Sequence, residues 1–325
     1  MTAADLYFEK HMWDRGVTAG LASMPSDIHI VTSCACIWEV VARKVGNVHI
    51  NSRFADMSLV DFLTSAVAII PAISNRHRKS VGKIVEWATQ DTQAMTGRNT
   101  NLGIVLLLAP LSLVKEKRRM LTTPRQSGEF DFRKQLPAIL KRTSIDDAAY
   151  VFNAIRHVNP GGIGETREQD VCERPTVTLL EAMKLAADRD LIARQYANNY
   201  ADVFDLGVPA LLEGFAKFNC VEAAVIHCQL KWMSVFPDSL IVRKLGLAAG
   251  ETVRKWAEDI MLVGGLETAE GRAAGVALDA YLRSDGNKLN PGTTADLVCA
   301  CLFVALREGK LKLNAPFPWT VEDWL

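Results

Sequence analysis

Apolar residues recur every three or four positions along most of the chain, the spacing that places them on one face of an α-helix. Alternation of apolar and polar residues, which would indicate β-strands, is limited to Val48 and Ile50. The pattern therefore predicts an all-α fold of about a dozen helices. The clearest repeats run through residues 59–73, 148–155, 180–191, 221–235 and 297–304.

The chain is long enough to form one large helical domain, because 325 residues can bury a substantial core. No repeat with a period of about 30–50 residues indicates a solenoid. We expect a flexible connection over residues 115–128, where several Lys and Arg residues precede Pro124 and Gly128. The longest apolar run, Leu102–Val114, is shorter than the roughly 20 residues that a membrane helix needs, so we expect no membrane span.

Charge and cysteine content narrow the classes of function. The 37 Lys and Arg residues balance 37 Asp and Glu residues, which argues against general binding to nucleic acid. The C-x-C pairs at residues 34–36 and 299–301 resemble metal ligands, but positions i and i+2 of a helix point to different faces. We expect these thiols to be buried in a reduced protein. The first ten residues lack the apolar stretch of a signal peptide, so we expect a cytoplasmic location.

Five junctions between predicted helices combine Gly, Asn, Thr and charged residues, which suits an anionic ligand. A helix start presents free N–H groups and a partial positive charge, and glycine lets a ligand approach the backbone closely. Helix capping explains any single junction equally well: Asp238 and Asn99 each fit an N-cap, and Thr293 with Asp296 fits a capping box. Together the junctions favour a polyphosphate or nucleotide site. They are residues 43–49, 96–103, 159–165, 236–244 and 290–296.

These junctions resemble the ordered motifs of the triphosphoribosyl-dephospho-CoA synthase family over about residues 34 to 308. The family's Glu before K-P-G-x-V-D resembles Glu39 before residues 44–49, and its G-x-N-T-H-K-G resembles residues 97–103. The remaining likenesses are Asp56-Met57, Gly164-Glu165 followed by Pro175-Thr176-Val177, residues 237–246, and residues 290–297 against S-P-G-G-S-A-D-L.

The chain departs from the family pattern at positions that bear on the substrate. His49 stands where the family has Asp, Asn101-Leu102 stands for its His-Lys pair, and Leu240 stands for an Asn. The pattern is similar to a separate branch from organisms that use tetrahydromethanopterin for one-carbon transfer. The departures therefore indicate a changed acceptor on an unchanged fold.

The resemblance implies a transferase in which ATP supplies its ribose. A hydroxyl of dephospho-CoA attacks the anomeric carbon, adenine leaves, and the triphosphate stays on the transferred ribose. Inversion at the anomeric carbon gives an α-ribosyl product through an oxocarbenium-like transition state. The implied partners are ATP and an alcohol-bearing coenzyme or precursor. The apolar tail at residues 316–325, with Trp319 and Trp324, is expected to pack either on the body of the protein or on the second subunit of a homodimer.

Three other functions fit the same residues. The acceptor is a tetrahydromethanopterin precursor in the first, and water in the second, which makes the protein a ribosyl hydrolase. In the third, the chain binds a nucleotide or coenzyme without catalysis, because the altered motifs no longer support the reaction. Five retained motif carboxylates argue against the last of these.

Site residues are assigned by role. Asp238 is the expected base, with His49 and Glu39 as further catalytic residues. Mg²⁺ is expected with ATP, because magnesium sites combine one or two carboxylates with substrate phosphates. Its expected ligands are Asp56, Glu165 and Asp296. The expected substrate and phosphate binders are Lys44, Gly46, Asn47, Arg98, Asn99, Thr100, Asn101, Gly103, Lys244, Gly292 and Thr293.

Overall fold

The computed structural model describes residues 28–75, 80–115, 130–158 and 170–325. Within them the regular elements are helices, and His49 and Ser52 form an isolated β-bridge. The all-α prediction is confirmed. Apart from Lys115, the predicted flexible connection over residues 115–128 lies outside the described residues, as does Glu165.

The helices are numbered in chain order. They are α1 Ile28–Val41, α2 Leu59–Ala68, α3 Ile70–Ser74, α4 Val81–Thr96, α5 Leu102–Ser112, α6 Phe132–Lys141, α7 Ile145–Val158, α8 Leu179–Ala186, α9 Leu191–Ala197, a π-helical turn Val203–Gly207, α10 Val208–Phe218, α11 Val221–Val235, α12 Ser239–Leu245, α13 Leu247–Leu262, a 3₁₀ turn Gly265–Glu267, α14 Ala269–Leu282 and α15 Gly292–Arg307.

Two of the predicted repeats are each divided between two helices. The repeat over residues 59–73 breaks at Ile69, because Pro71 near the start of α3 cannot donate to the preceding turn. The repeat over residues 180–191 stops at Ala186, and α9 begins afresh. Asp190 caps α9 by accepting hydrogen bonds from the amides of Ile192 and Ala193 at 2.9 and 3.0 Å.

The centre of the protein is α15, which is buried from Leu297 to Arg307. It packs against α1, α5, α10 and α11. At its crossing with α1, the sulfur atoms of Cys36 and Cys299 lie 3.8 Å apart. Cys36 and both cysteines of the second C-x-C pair are buried, and Cys34 is half-buried. Across the described residues no three His, Cys, Asp or Glu side chains form a metal-binding group.

A second apolar cluster, on the far side of α11, involves α13 and α14 together with Trp319 and Trp324. These tryptophans pack the segment that follows α15 onto the body of the protein. Arg43 holds the segment by donating to the Trp319 carbonyl, and the Trp324 indole N–H donates to the Arg43 carbonyl at 2.9 Å.

No described helix combines the length and the apolar composition required to span a bilayer.

A proline inside α5 explains the position of one of two buried tyrosines, Tyr196. Pro110 has no N–H, so the Leu106 carbonyl one turn earlier lacks its usual helical donor. The Tyr196 hydroxyl donates to that carbonyl at 2.6 Å, and the Tyr200 hydroxyl donates to the Leu107 carbonyl at 3.0 Å. Both tyrosines are fully buried. They fix α9 and the following turn onto α5, whose first turn reaches the candidate site.

We predict that Tyr196→Phe lowers the free energy of unfolding by about 1–3 kcal/mol, because it leaves a buried carbonyl without a donor. In a Pro110→Ala background the restored N–H serves that carbonyl, so the same substitution costs less. Tyr200→Phe is the matched control, since the Leu107 carbonyl keeps its helical donor. Urea unfolding of the variants in both backgrounds measures the coupling. An equal loss in both backgrounds would contradict this explanation.

Candidate active site

A cavity of about 730 Å³ lies where α1 ends and where α5, α9, α12 and α15 begin. Four of the five predicted junctions contribute to its wall, and the fifth, residues 159–165, lies outside the described residues. Its size suits a small-molecule ligand. The predicted site residues on its wall are Glu39, Asn47, Asp56, Arg98, Asn99, Thr100, Asn101, Gly103, Lys244, Gly292, Thr293 and Asp296.

Of the predicted site residues that the structure describes, four do not line this cavity: Lys44, Gly46, His49 and Asp238. All four lie in the same two junctions as residues that do line it. Their side chains or backbone groups support the wall from behind. The contacts of each one explain why it lies there.

Lys44 forms a buried ion pair with Glu39. Its Nζ lies 2.9 Å from Glu39 Oε1 and also donates to the Glu39 carbonyl, and the Lys44 side chain has no exposed surface. The prediction that Lys44 binds phosphate is therefore wrong. Instead its charge stabilises the carboxylate of Glu39, which itself faces the cavity.

The turn after α1 is held by side chains from three distant segments. The Gly46 amide donates to Asp279 Oδ1 at 2.7 Å, and Gly46 has a φ of 71°, which favours glycine. The Asn47 side chain accepts from Gln229 Nε2 at 2.8 Å and donates to Asn290 Oδ1 at 2.6 Å. The turn therefore presents Asn47 to the cavity in a fixed orientation.

His49 lies behind this turn and is buried. Its Nδ1 accepts from the Asn51 amide at 3.2 Å, and its Nε2 has no hydrogen-bond partner among the described residues. Burial, followed by the charges of Arg283 and Lys44, lowers the pKa of His49 from 6.5 to about 4. His49 is therefore neutral at pH 7 and away from the cavity wall.

Asp238 caps α12 and joins it to α15. One carboxylate oxygen accepts from the amides of Leu240 and Ile241 at 2.9 and 3.2 Å. The other accepts from the amide and the hydroxyl of Thr294 at 2.7 and 2.8 Å. Because four donors occupy this buried carboxylate, the geometry supports the capping alternative and not a base acting on a ligand.

The predicted capping box at the start of α15 is wrong. The helix begins at Gly292, with Pro291 at the N-cap position and no side-chain cap, so Thr293 lies in the first turn. Thr293 lines the cavity instead of closing the helix end. Asn99, by contrast, does accept from the Leu102 amide at 3.3 Å, which supports the start of α5.

Asp296 and Glu39 belong to the same crossing of α1 and α15. Glu39 follows Cys36 by three residues and Asp296 precedes Cys299 by three, so both carboxyl groups lie one turn from the contact between the two sulfur atoms. Both line the cavity. Burial, and then the negative charge of Glu39, raises the pKa of Asp296 well above its usual value.

Gly103 makes room for Asp296. A Cβ atom on Gly103 would lie 2.0 Å from Asp296 Oδ2 and 2.5 Å from its Cγ. Any larger residue at position 103 would displace the carboxyl group. The glycine of this junction is therefore required by a side chain of the protein, in addition to any role in admitting a ligand.

Arginine and asparagine side chains outside the predicted site residues also line the cavity. Arg243 Nη1 lies 3.2 Å from Asp190 Oδ2, and its buried Nε has no hydrogen-bond partner among the described residues. Asn287 donates to both Asp56 oxygens at 3.2 and 3.0 Å, and its carbonyl accepts from Lys244 Nζ at 3.0 Å. Burial lowers the pKa of Lys244.

The sequence contains a signal for some of these residues. Arg243 belongs to the fourth junction, and Asp190 directly precedes the apolar repeat of α9, as an N-cap does. Arg189, which also lines the cavity, and Asn287 lie in no recognisable motif. Of the predicted cations, Arg98 is half-exposed on the wall, with its Nε 3.9 Å from Asp61 Oδ1.

Comparisons with known proteins agree on one family. The family described as CitG, ATP:dephospho-CoA triphosphoribosyl transferase, matches residues 25–315. A curated protein of Pseudomonas savastanoi pv. phaseolicola, named as a probable 2-(5''-triphosphoribosyl)-3'-dephosphocoenzyme-A synthase, is 29% identical over 113 residues. That match covers 34% of this chain and 38% of the relative's own length.

A solved structure from Archaeoglobus fulgidus, carrying the name triphosphoribosyl-dephospho-CoA synthase, has a similar fold. It superimposes with a TM-score of 0.57 at 29% sequence identity. The similarity covers 76% of this chain and 99% of that chain.

We predict that Gly103→Ala destabilises the protein by about 1–3 kcal/mol, since the new methyl group overlaps the Asp296 carboxyl group. In an Asp296→Ala background the contact of the new methyl group with Ile192 Cδ1, at 2.7 Å, remains. Helix propensity offsets about 0.5–1 kcal/mol of its cost, so the same substitution destabilises the protein less than in the parent. Chemical unfolding of the four variants measures this difference. An identical effect in both backgrounds would show that the two residues do not meet.

Proposed function

The chain belongs to the CitG family of ATP:dephospho-CoA triphosphoribosyl transferases, and on that premise we propose that it transfers the triphosphoribosyl group of ATP to an alcohol and releases adenine. The observation that carries the proposal is the convergence of four separate junctions on one cavity. Helix capping alone would not require four junctions that are far apart in the sequence to face the same cavity.

The cationic wall suits the triphosphate. Arg98, Arg243 and Lys244 line the cavity, and the buried Nε of Arg243 is a donor without a partner among the described residues. The Arg243 side chain is 29% exposed, and in the proposed complex the exposed part of its guanidinium group donates to a phosphate oxygen of ATP.

Glu39 is the proposed base. The hydroxyl oxygen of the acceptor bonds to the anomeric carbon of ATP as the bond from that carbon to adenine N9 breaks, and the hydroxyl proton passes to Glu39. The Lys44 ammonium, 2.9 Å away, fixes the orientation of the Glu39 carboxylate. The negative charge of that carboxylate also stabilises the positive charge that develops on the ribose.

Asp296 is the proposed proton donor to the departing adenine. The bond electrons leave with the base, and a proton on a ring nitrogen neutralises the charge that they bring. Burial and the adjacent Glu39 raise the pKa of Asp296 and so favour its protonated form, which is the form that this role requires. We prefer this role to the predicted one as a magnesium ligand, because a ligand must be ionised.

The residues on the cavity wall fit a magnesium ion that is bound mainly through the phosphates of ATP. The described residues include no group of three metal-ligating side chains, but Asp56 offers an exposed carboxylate on the wall, oriented by Asn287. One carboxylate with substrate phosphates and water is a usual arrangement for this ion. When bound, the ion would neutralise part of the triphosphate charge.

Dephospho-CoA is the proposed acceptor, as the family description indicates. A tetrahydromethanopterin precursor is the second candidate. Asn101 and Leu102 favour this second acceptor. They line the cavity where the family has a His-Lys pair, so this part of the wall carries less positive charge than in the family, which indicates a changed acceptor. Retention of Glu39 and Asp296 on the wall argues against a binding protein without activity.

The test is adenine release, followed by mass spectrometry in mixtures of ATP, Mg²⁺ and either acceptor. We expect release with one acceptor, and we expect Glu39→Gln to reduce the rate by about 10²–10⁴-fold, as removal of a general base does. Glu258→Gln, an exposed carboxylate on α13, is the matched control and should keep the parent rate.

Release without any alcohol would identify a hydrolase. An absence of adenine with both acceptors, in a protein that still binds ATP, would contradict the transferase. A Glu39→Gln variant within a few-fold of the parent rate would remove Glu39 from the mechanism.

A further inference from the structure

The cavity has one side of a different character from its polar junctions. Every residue that α7 and α8 contribute to the wall is apolar, among them Val151, Phe152 and Ile155 of α7 and Leu179 and Met183 of α8. The two helices pack against each other, and α8 packs against α9. We call this region, defined by these five residues, the apolar arm.

The apolar arm is unsuited to either end of ATP. A triphosphate needs cations, and the arm supplies none. The faces of adenine can pack on apolar side chains, but the donors and acceptors around its edge need partners, and the arm supplies none. The polar junctions offer amide groups for adenine and the ribose hydroxyls: Asn99 and Asn290 can donate through Nδ2, and Asn101 can accept through Oδ1.

We propose that the apolar arm is the subsite for the acceptor, and that it holds an uncharged, largely apolar end of that molecule while its hydroxyl faces Glu39. This inference rests on the proposed function, since it takes ATP as the occupant of the polar side. It assigns acceptor specificity to α7 and α8, which lie apart from the junctions that bind ATP. The substrate class is an alcohol with an extended aliphatic or aromatic tail.

Binding measurements with three probes test the assignment. Calorimetry gives the affinities of ATP, of dephospho-CoA and of 4-phenylbutan-1-ol, a neutral alcohol with an apolar tail. We expect Met183→Glu to weaken dephospho-CoA and the phenyl alcohol by about tenfold or more, because a charge replaces half-buried apolar surface. ATP affinity should stay within twofold of the parent.

Two further variants supply a control and an alternative to Met183→Glu. Val276→Glu, on the exposed face of α14, adds the same charge outside the cavity and should change none of the three affinities. If Met183→Glu fails to fold, Ala182→Leu narrows the same arm without adding charge and should discriminate against dephospho-CoA in the same direction.

The outcomes separate this inference from the proposed reaction. Weaker ATP binding in Met183→Glu would place adenine in the arm and overturn the assignment. So would unchanged affinity for both alcohols, or a parent protein that binds neither alcohol. If the expected pattern appears but no adenine is released in the transferase assay, the reaction fails and the apolar subsite stands.

Discussion

The crossing of α1 and α15 is the contact on which the site depends. Two small buried side chains, Cys36 and Cys299, let the helices approach until their sulfur atoms are 3.8 Å apart. One turn away, the same approach brings Glu39 and Asp296 to the wall of one cavity. Larger residues at the crossing would separate the helices and with them the two carboxyl groups.

Buried polar contacts then hold the helix ends around this crossing. Asp238 joins the starts of α12 and α15, and Asp279 and Gln229 hold the turn after α1. Each of these side chains satisfies polar groups that would otherwise be unpaired in the interior. The protein's own side chains therefore hold these helix ends in position, which suits a reaction that must align a hydroxyl with an anomeric carbon.

The fold was predictable from the sequence because helical periodicity is a local property. The repeat at residues 221–235 and the apolar run from Leu102 predict α11 and α5 almost to their ends. The division at Asp190 was missed, although an aspartate before an apolar repeat is a recognisable helix start. The packing of the segment with Trp319 and Trp324 depends on Arg43, a residue 276 positions away from the first of them, and no local pattern shows it.

The site was predictable as a set of junctions but not residue by residue. Asp238 and Asp296 look alike in sequence, each a carboxylate near a helix start. In the structure the first is surrounded by four donors and the second faces the cavity. The two lysines also differ through their neighbours: Lys44 is buried in an ion pair with Glu39, whereas Lys244 lines the cavity. Which role a residue takes depends on tertiary neighbours.

The most direct measurement is a crystal structure with ATP and Mg²⁺ in the absence of an acceptor. We expect the triphosphate to contact Arg243 and Lys244, and the anomeric carbon of the ribose to face Glu39 and Asp296. ATP bound elsewhere on the surface, or in this cavity with its ribose turned away from both carboxyl groups, would show that the proposed active site is wrong.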